Sequence, residues 1–504
     1  MKSIKRSICF VISGFIFFIF FHFFGIAFTG GDDPFIAMDY LSKGGLWNAA
    51  VSQGTGQGRV FAIFTYYLAE LSFKLGFEWT NLFKIISSSL ILLLYFLFIK
   101  KAFSLNFSIL NMIVFLLIFD WYGGDFNPIH NVTQWYSIGF NFLLGSFIVF
   151  IDELKNNKKF VLSAILYFCA LIFYEIILGY IIIFPMLYFY KGPKVFKVKN
   201  LFLKSYYFIL AVVCYLSIYF LFRVYFPSQY IGNQQFFFGD LFNSFFTIIR
   251  MSLLGIGFKY WDHFSLLNIG KALFSSTLCI FLLIVFFRKN EFQSFIKNYK
   301  SIKVTPNLLF IPLLIALPNV MFGFIEKYHN WYGYYVGSFF SAFAIVPLIT
   351  YLLLLIKNNF TKGFYISVFL LFISANGIYL NYFTKFDEFK VDREKWALMD
   401  EIILQSKSVL KNNDLICSDN LFKRKSSYNV YPYWDNYIFS KIKIKPSVVF
   451  QVEKEKIKER KWPGVISNGC ECNWNLNFQS LPNSKYSLSL NNDSYIFNSI
   501  SGNE

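Results

Sequence analysis

Residues 8–35 read ICFVISGFIFFIFFHFFGIAFTGGDDPF. The first three-quarters is almost uninterrupted hydrocarbon, and its length matches the ~20 residues that carry a helix across a bilayer. Lys2, Lys5 and Arg6 precede it, and Asp32 and Asp33 follow at once beside two glycines. A basic start and an apolar core are also features of a secretory leader. "FTGGDD" offers no small-residue cleavage site, so the run is read as a retained helix with its N-terminus inside.

Composition carries that reading to the whole chain. Of 504 residues, 56% are hydrophobic, 22% are aromatic, 69 are Phe and only 15% are charged. The mean hydropathy is +0.48. A soluble chain of this size would expose far too much apolar surface, so the expectation is an α-helical polytopic membrane protein surrounded by membrane lipids. The net charge of +18 does not point to nucleic acid. The Lys and Arg residues sit in short loops between apolar runs, where positive-inside sorting places them. Richness in Phe, Ile, Lys and Asn fits an AT-rich bacterial coding region, and hence a bacterial inner membrane. Cys9, Cys169, Cys214 and Cys279 lie inside apolar runs as packing residues. Cys417, Cys470 and Cys472 lie in the polar tail, where an oxidising compartment would let Cys417 pair with either of the others.

Apolar spans are expected at 7–28, 81–99, 107–119, 137–151, 160–174, 176–190, 203–222, 266–287, 307–325, 335–356 and 363–381. The stretch 59–76, "RVFAIFTYYLAELSFKLG", places Val60, Phe61, Phe64, Leu68, Leu71 and Leu75 at helical spacing. Arg59, Glu70 and Lys74 interrupt it, so it is read as an amphipathic interfacial helix. With that choice the N-terminus and inner loops hold roughly twenty Lys and Arg, against roughly eight in the longer outer loops. The result is about eleven transmembrane helices, N-terminus cytoplasmic and C-terminus periplasmic. The rival arrangement makes 59–76 a span and joins 160–190 into one helix, which moves five lysines outside.

The transmembrane domain covers 1–381, with a first outer loop at 29–80. After residue 382 the character changes. Segment 392–410 is amphipathic, and "DLICSD", "KIKIKPSVVFQV" and "YSLSLNNDSYIF" are strand-like runs between Asn, Pro and Gly. This is expected to form a small C-terminal α/β extracytoplasmic domain over 382–504.

In this topology the unusual polar residues share one face. The first outer loop carries Asp32, Asp33 and "GTGQGR", which ends in Arg59; the second carries Asp120, Asp125 and His130. Arg250 lies in the third, and Glu326, Lys327 and His329 in the fourth. Glu175 stands between two short apolar runs, and an acid in such a place is a functional candidate. Each also has a plainer reading. Asp32–Asp33 could cap the segment that follows, and "GTGQGR" could be a flexible loop, with no βαβ unit around it to make a dinucleotide fingerprint. The Trp and Tyr residues fit an interfacial belt. His130 and His329 could be hydrogen-bonded structural residues, and Glu175 could simply pair with an arginine. Together the residues suit chemistry on a polar head group whose lipid tail stays in the bilayer. Carboxylates can deprotonate a sugar hydroxyl, Arg or Lys can hold a phosphate, and aromatic faces can stack on sugar rings.

An N-in first span, the acidic pair in "GDD" (31–33), an interfacial helix, many spans and an outer C-terminal domain resemble the GT-C glycosyltransferases. Size and topology are similar to the serotype-converting O-antigen glucosyltransferases of temperate phages and enteric bacteria. The likeness of topology covers the whole chain; the motif covers only a few residues. The resemblance implies a polyprenyl-phosphate sugar donor and a lipid-linked polysaccharide acceptor. It places Asp32 or Asp33 as base or metal ligand, so a divalent metal is an open cofactor, and leaves Asp120 or Asp125 as a second acid. Arg59, His130, Glu175, Arg250, Glu326, Lys327 and His329, gathered on the same outer side, are the candidate substrate-binding residues, with Arg59 or Arg250 to stabilise the leaving phosphate. A polysaccharide polymerase or ligase is the nearest alternative. A lipid-linked-sugar flippase is the different class; it would show repeats, broken helices and midplane polar groups, whereas the midplanes here read as almost purely apolar.

Overall fold

The computed structural model describes residues 44–75, 77–119, 133–156, 159–191, 198–228, 240–253, 317–325, 329 and 336–355, scattered positions over 404–413, and the backbone of five strands between 415 and 490. The expected spans at 7–28, 266–287 and 363–381 lie outside the described residues, as do most of 307–325 and of the amphipathic segment 392–410. The chain forms two compact units: Met1–Ala27 with Val51–Phe386, and Phe28–Ala50 with Asp387–Glu504.

The first unit is helical. Its described elements are α1 (Leu46–Gln57, which begins in the second unit), α2 (Ala62–Lys74), α3 (Phe77–Ala102), α4 (Leu105–Ile118), α5 (Thr133–Lys155) and α6 (Val161–Phe173). A 3₁₀ segment, Glu175–Ile182, leads into α7 (Ile183–Lys191), then α8 (Val198–Tyr225) and α9 (Leu241–Leu253). A second 3₁₀ turn at Leu317–Asn319 precedes α10 (Val320–Gly323) and α11 (Val336–Leu355). Three of these contain stretches long and apolar enough to cross a membrane: Leu82–Ala102, Tyr136–Lys155 and Tyr206–Tyr225. The chain is thus a helical protein with membrane-spanning capacity. Helices α4 and α6, at about 20 Å each, are shorter than the ~30 Å hydrocarbon core.

Among the described helices, α5 packs most extensively, on α3 and α6. Helices α3 and α5 run parallel, because Lys101 and Asp152 pair at their C-terminal ends. Helix α6 runs antiparallel to α5: Ser146 Oγ donates to Ser163 O at 2.6 Å, and the Phe150 and Phe160 rings lie 4.5 Å apart. Phe160 cannot cap α6, and the carboxylate of Glu153 does so from α5. It accepts from Leu162 N at 3.1 Å and from Ser163 N at 3.4 Å, and it also accepts from Ser163 Oγ. Glu153 is buried, so these bonds are what allow a carboxylate there.

At Tyr174 the backbone is extended, and the chain turns back. Phe184 returns to 5.2 Å from the ring of Tyr167 and 5.2 Å from that of Phe150. One continuous helix would hold positions 167 and 184 about 25 Å apart. Residues 160–190 therefore form a hairpin and not a single helix. Tyr167 Oη closes it, donating to Leu178 O at 2.9 Å. Pro185 is the third residue of α7, and the helix continues past it to Lys191.

Pro347 lies inside α11 and does not end it. Proline frees the carbonyl four residues back, here Phe343 O. Tyr95 Oη donates to that carbonyl at 3.1 Å and itself accepts from Asn111 Nδ2 at 2.9 Å. Thr350 Oγ1 reaches Asn111 Oδ1 at 3.3 Å. Phe115, Phe119, Phe140 and Phe339 surround Phe343. The bundle interior is accordingly not purely apolar: Glu70, Lys84, Ser87, Asn111 and Thr350 are all buried.

Two helices are inverted relative to a soluble amphipathic helix. On α2, Ala62, Thr65, Tyr66, Ala69 and Glu70 are buried while Phe64, Leu68 and Leu75 just beyond its end are exposed. On α9, Ser244, Thr247 and Ser252 are buried while Leu241, Phe242, Phe245 and Phe246 are exposed. Small polar side chains thus join the interior, on α9 beside Ile248 and Met251, while large hydrocarbon side chains face outward.

In the second unit the strands are β1 (Leu415–Asp419), β2 (Ser447–Gln451), β3 (Val465–Ile466), β4 (Trp474–Phe478) and β5 (Tyr486–Leu490). They form one sheet of order β3-β2-β1-β4-β5. β1 is parallel to both neighbours, with Leu415 opposite Ser447 and Ile416 opposite Trp474; β5 is antiparallel to β4.

Candidate functional site

The glycine-rich "GTGQGR" is the end of a helix. Gly54 to Gln57 close α1, and Gly58 follows at φ +66°. Gly58 N bonds Thr55 O at 3.0 Å and Arg59 N bonds Gly54 O at 2.9 Å. This pair of bonds is a Schellman motif, which needs a left-handed residue at the position Gly58 holds. A Cβ on Gly58 would also stand 2.8 Å from Phe226 O. The run is therefore a fixed turn, packed against residues after α8, and not a flexible loop. Its result is to aim Arg59 inward at the start of α2.

Arg59 Nη2 donates to Glu175 Oε2 in an ion pair at the hairpin turn. Arg59 Nη1 donates to Gln57 Oε1 at 3.2 Å, and Gln57 Nε2 donates to Tyr66 Oη at 2.6 Å. The guanidinium lies 5.9 Å from the centre of the Tyr174 ring, which meets Tyr136 edge-on at 4.5 Å. On the other side Phe61 stacks on Tyr215 at 5.2 Å and 13°. The pair sits in a shallow recess, with little more than a water's worth of enclosed space, whose walls include Tyr66, Tyr136, Tyr174, Tyr215 and Tyr219. Burial works against the Arg59 charge, but the charge of Glu175 and the bond to it outweigh burial and hold the guanidinium above its ordinary pKa. The side chains of Arg59 and Glu175 are 27% and 31% exposed, so the pair is reachable from outside.

The sequence candidates separate into three groups. Arg59 and Glu175, far apart in the chain, are brought together; Glu175 does pair with an arginine. Arg250 and His329 are also brought together, at the N-terminal half of α11. Arg250 Nη2 donates to His329 O at 3.1 Å, and His329 Nε2 donates to Gly323 O at 2.8 Å. Ser244 Oγ lies 3.5 Å from the same ring nitrogen. These bonds tie the turn after α10 to α9, so both side chains here hold structure. Asp240, at the head of α9, is likewise a cap, accepting from Asn243 N at 2.9 Å. Asp32, Asp33, Asp120, Asp125, His130, Glu326 and Lys327 lie outside the described residues. Among the described residues no three His, Cys, Asp or Glu side chains converge as metal ligands.

The tyrosines around the pair are what sequence reasoning missed, having assigned them to an interfacial belt. Two signals were present. Tyr174 immediately precedes Glu175, and Tyr215 and Tyr219 are four apart, on one face of a helix near its end. The recess lies at one end of the bundle, beside Tyr136 at the start of α5. Lys100, Lys101 and Lys155 lie in the last turns of α3 and α5, at the opposite end. Compared with known proteins, the chain matches no family model and no curated protein sequence.

Proposed function

We propose that the chain is a glycosyltransferase of the bacterial inner membrane, moving a hexose such as glucose from a polyprenyl-phosphate donor to a surface polysaccharide such as O-antigen, with inversion. The observation that carries this reading is the Arg59–Glu175 pair, open to solvent and walled by tyrosines at one end of a membrane bundle. Carbohydrate sites combine such ring faces with charged, hydrogen-bonding groups. The lysine-bearing helix ends lie opposite; on the positive-inside rule they face the cytoplasm and the recess faces out. In the reaction, Asp32 or Asp33 removes the proton of the acceptor hydroxyl. That oxygen bonds to the anomeric carbon from the side opposite the phosphate. The anomeric C–O bond breaks, and polyprenyl phosphate leaves with the electron pair. Asp120 or Asp125 is the second acid, and Glu326 and Lys327 are assigned to substrate binding.

One observation favours a second reading, a lipid-linked-sugar flippase. The helix broken at Tyr174 and the buried Glu70, Lys84 and Asn111 are features of transporters. A single experiment separates the two. Membranes containing the chain are supplied with radiolabelled polyprenyl-phosphate glucose and lipid-linked polysaccharide, and label in the polysaccharide is measured for wild type, Asp32→Asn and Asp33→Asn. A general base contributes about 10²–10⁴-fold, so at least one variant should lose nearly all transfer at normal protein level. Movement of the donor between leaflets without transfer would favour the flippase.

A further inference from the structure

We infer that α9 (Leu241–Leu253) is embedded in a single leaflet of the membrane, with its phenylalanine face covered by lipid acyl chains on the recess side of the bilayer. By sequence alone the segment belongs to an outer loop between the apolar runs 203–222 and 266–287. Its place in the leaflet does not depend on the glycosyltransferase reading.

The outward face comes first. At 100° per residue, Leu241, Phe242, Phe245, Phe246, Ile249 and Leu253 fall within an arc of about 140°. All six are exposed, Phe242 at 79%. Ser244, Thr247, Ile248, Met251 and Ser252 are buried against the protein. Arg250 is the only charged residue of the helix, and its Nη2 is turned to His329 O at 3.1 Å, so no charge interrupts the stripe. In water a stripe of this width with three phenylalanines would be an aggregation surface. On a bundle with three stretches able to span a membrane, hydrocarbon is the medium that accepts it.

Depth follows from the bonds on the inward face. Asn319 Nδ2 donates to Ser252 Oγ and to Ser341 Oγ, both at 2.9 Å. Ser341 follows Phe340, whose ring lies 4.9 Å from that of Phe140. Phe140 is four residues beyond Tyr136, where the spanning stretch of α5 begins, or about 6 Å along the helix. The C-terminal end of α9 therefore sits roughly 5–10 Å inside the recess-side boundary of a core whose half-thickness is ~15 Å. The chain approaches α9 from that same side, where Phe226 and Ser228 lie against Gly58. Asp240 then caps the helix through an exposed bond to Asn243 N, and such a carboxylate belongs at the water boundary. With its ends so held, α9, about 20 Å long, slants shallowly through one leaflet.

Helix α2 supplies a parallel. It starts just after Arg59, at the recess, and only Leu75 and Gly76 separate its end from α3. The N-terminus of α3 is on the recess side as well, because α3 runs parallel to α5. Both ends of α2 thus lie at one end of the bundle, and its Phe64 and Leu68 are exposed. Two short helices on the same side, each turning hydrocarbon outward, have the length and the apolar face of helices that lie in a membrane interface.

The test uses the full chain in phosphatidylcholine nanodiscs. Nitroxides are attached to single cysteines at Leu241, Phe245, Ile249 and Leu253, with Lys155 as the aqueous reference, in a background without native cysteines. Collision rates with oxygen and with a water-soluble nickel chelate are compared. All four α9 sites should be rich in oxygen and poor in nickel, at depths of about 5–10 Å below the head groups. Nickel access as high as at Lys155 would return the helix to an aqueous loop. Exclusion of both reagents would mean that protein covers the face, as would spectral broadening between copies, and either result overturns the assignment. So does a depth change of ~20 Å from Leu241 to Leu253, which would make α9 part of a span. The unaltered chain gives a second reading that needs no substitution. A phosphatidylcholine carrying a diazirine in its acyl chain should add to Phe242, Phe245 or Phe246 and spare Ser244 and Thr247. No adduct on the three phenylalanines, while the spanning helices are labelled, would refute the contact with lipid.

Discussion

Tyr95→Phe should destabilise the bundle, and the amount should depend on Pro347. The hydroxyl does two jobs in a buried site. It donates to Phe343 O at 3.1 Å and accepts from Asn111 Nδ2 at 2.9 Å. Its loss leaves a buried carbonyl and a buried amide short of a partner, each worth about 1–3 kcal/mol in general. Within membranes such bonds average nearer ~0.6 kcal/mol and reach about 2, so a total of about 1–3 kcal/mol is expected. The carbonyl needs Tyr95 only because Pro347 has no N–H to give it. In a Pro347→Ala background the alanine N–H can take over, and Tyr95→Phe should then cost about 1 kcal/mol less. The assay is reversible unfolding in mixed micelles, with the four proteins of the double-mutant cycle compared. Coupling smaller than the ~0.3–0.5 kcal/mol scatter of independent sites would refute the claim that Tyr95 repairs the proline's gap.

Two further perturbations probe the turns that aim the site and the hairpin. Gly58→Ala should reduce folded yield and the thermal midpoint, because it forces a Cβ into a left-handed residue and onto Phe226 O; the strain alone costs about 1 kcal/mol. Gly56→Ala, two residues away in the helix with open space around it, should be neutral or stabilising by up to about 1 kcal/mol. Equal losses at both would mean that the Schellman turn is not what requires glycine. Glu153→Ala should lower the unfolding free energy by about 1–3 kcal/mol, since it removes the only side-chain cap described for α6. Hydrogen exchange at Leu162 and Ser163 should rise with it, and unchanged protection there would sink the capping assignment.

The sequence made some of this legible and hid the rest for definable reasons. Apolar length located the three stretches able to span, because a bilayer imposes ~20 residues on any helix that crosses it. The break near Glu175 was legible too, since an acid and a short run on each side disfavour one long helix. Pairing was not legible. Glu175 is 116 positions from Arg59, and nothing local to either names the other. The glycines of "GTGQGR" were misleading for a different reason. Two of them lie within α1, and only Gly58 needs a positive φ, so composition suggested mobility where the backbone is fixed. Nor does the sequence around Pro347 show that its helix continues, because the tyrosine that bonds the freed carbonyl lies on another helix.

The inverted helices show how the surrounding medium changes what a periodic pattern means. Phe64, Leu68 and Leu75 were recognised as a stripe at helical spacing, and in water such a stripe would face the core. Here it faces out, and Thr65, Tyr66 and Glu70 face in. Hydrocarbon around the bundle accepts Phe and Leu at no cost, while a polar group turned toward it would lose its hydrogen bonds. The same inversion on α9 sends Ser244 and Ser252 inward to His329 and Asn319. Inward-facing polar side chains from short helices thus gather at the end of the bundle. That is how α2, too short at about 20 Å to cross a ~30 Å core, contributes Tyr66 to the bonds that hold Gln57 and, through it, Arg59. The recess follows from burying polar groups in a chain whose outside is apolar.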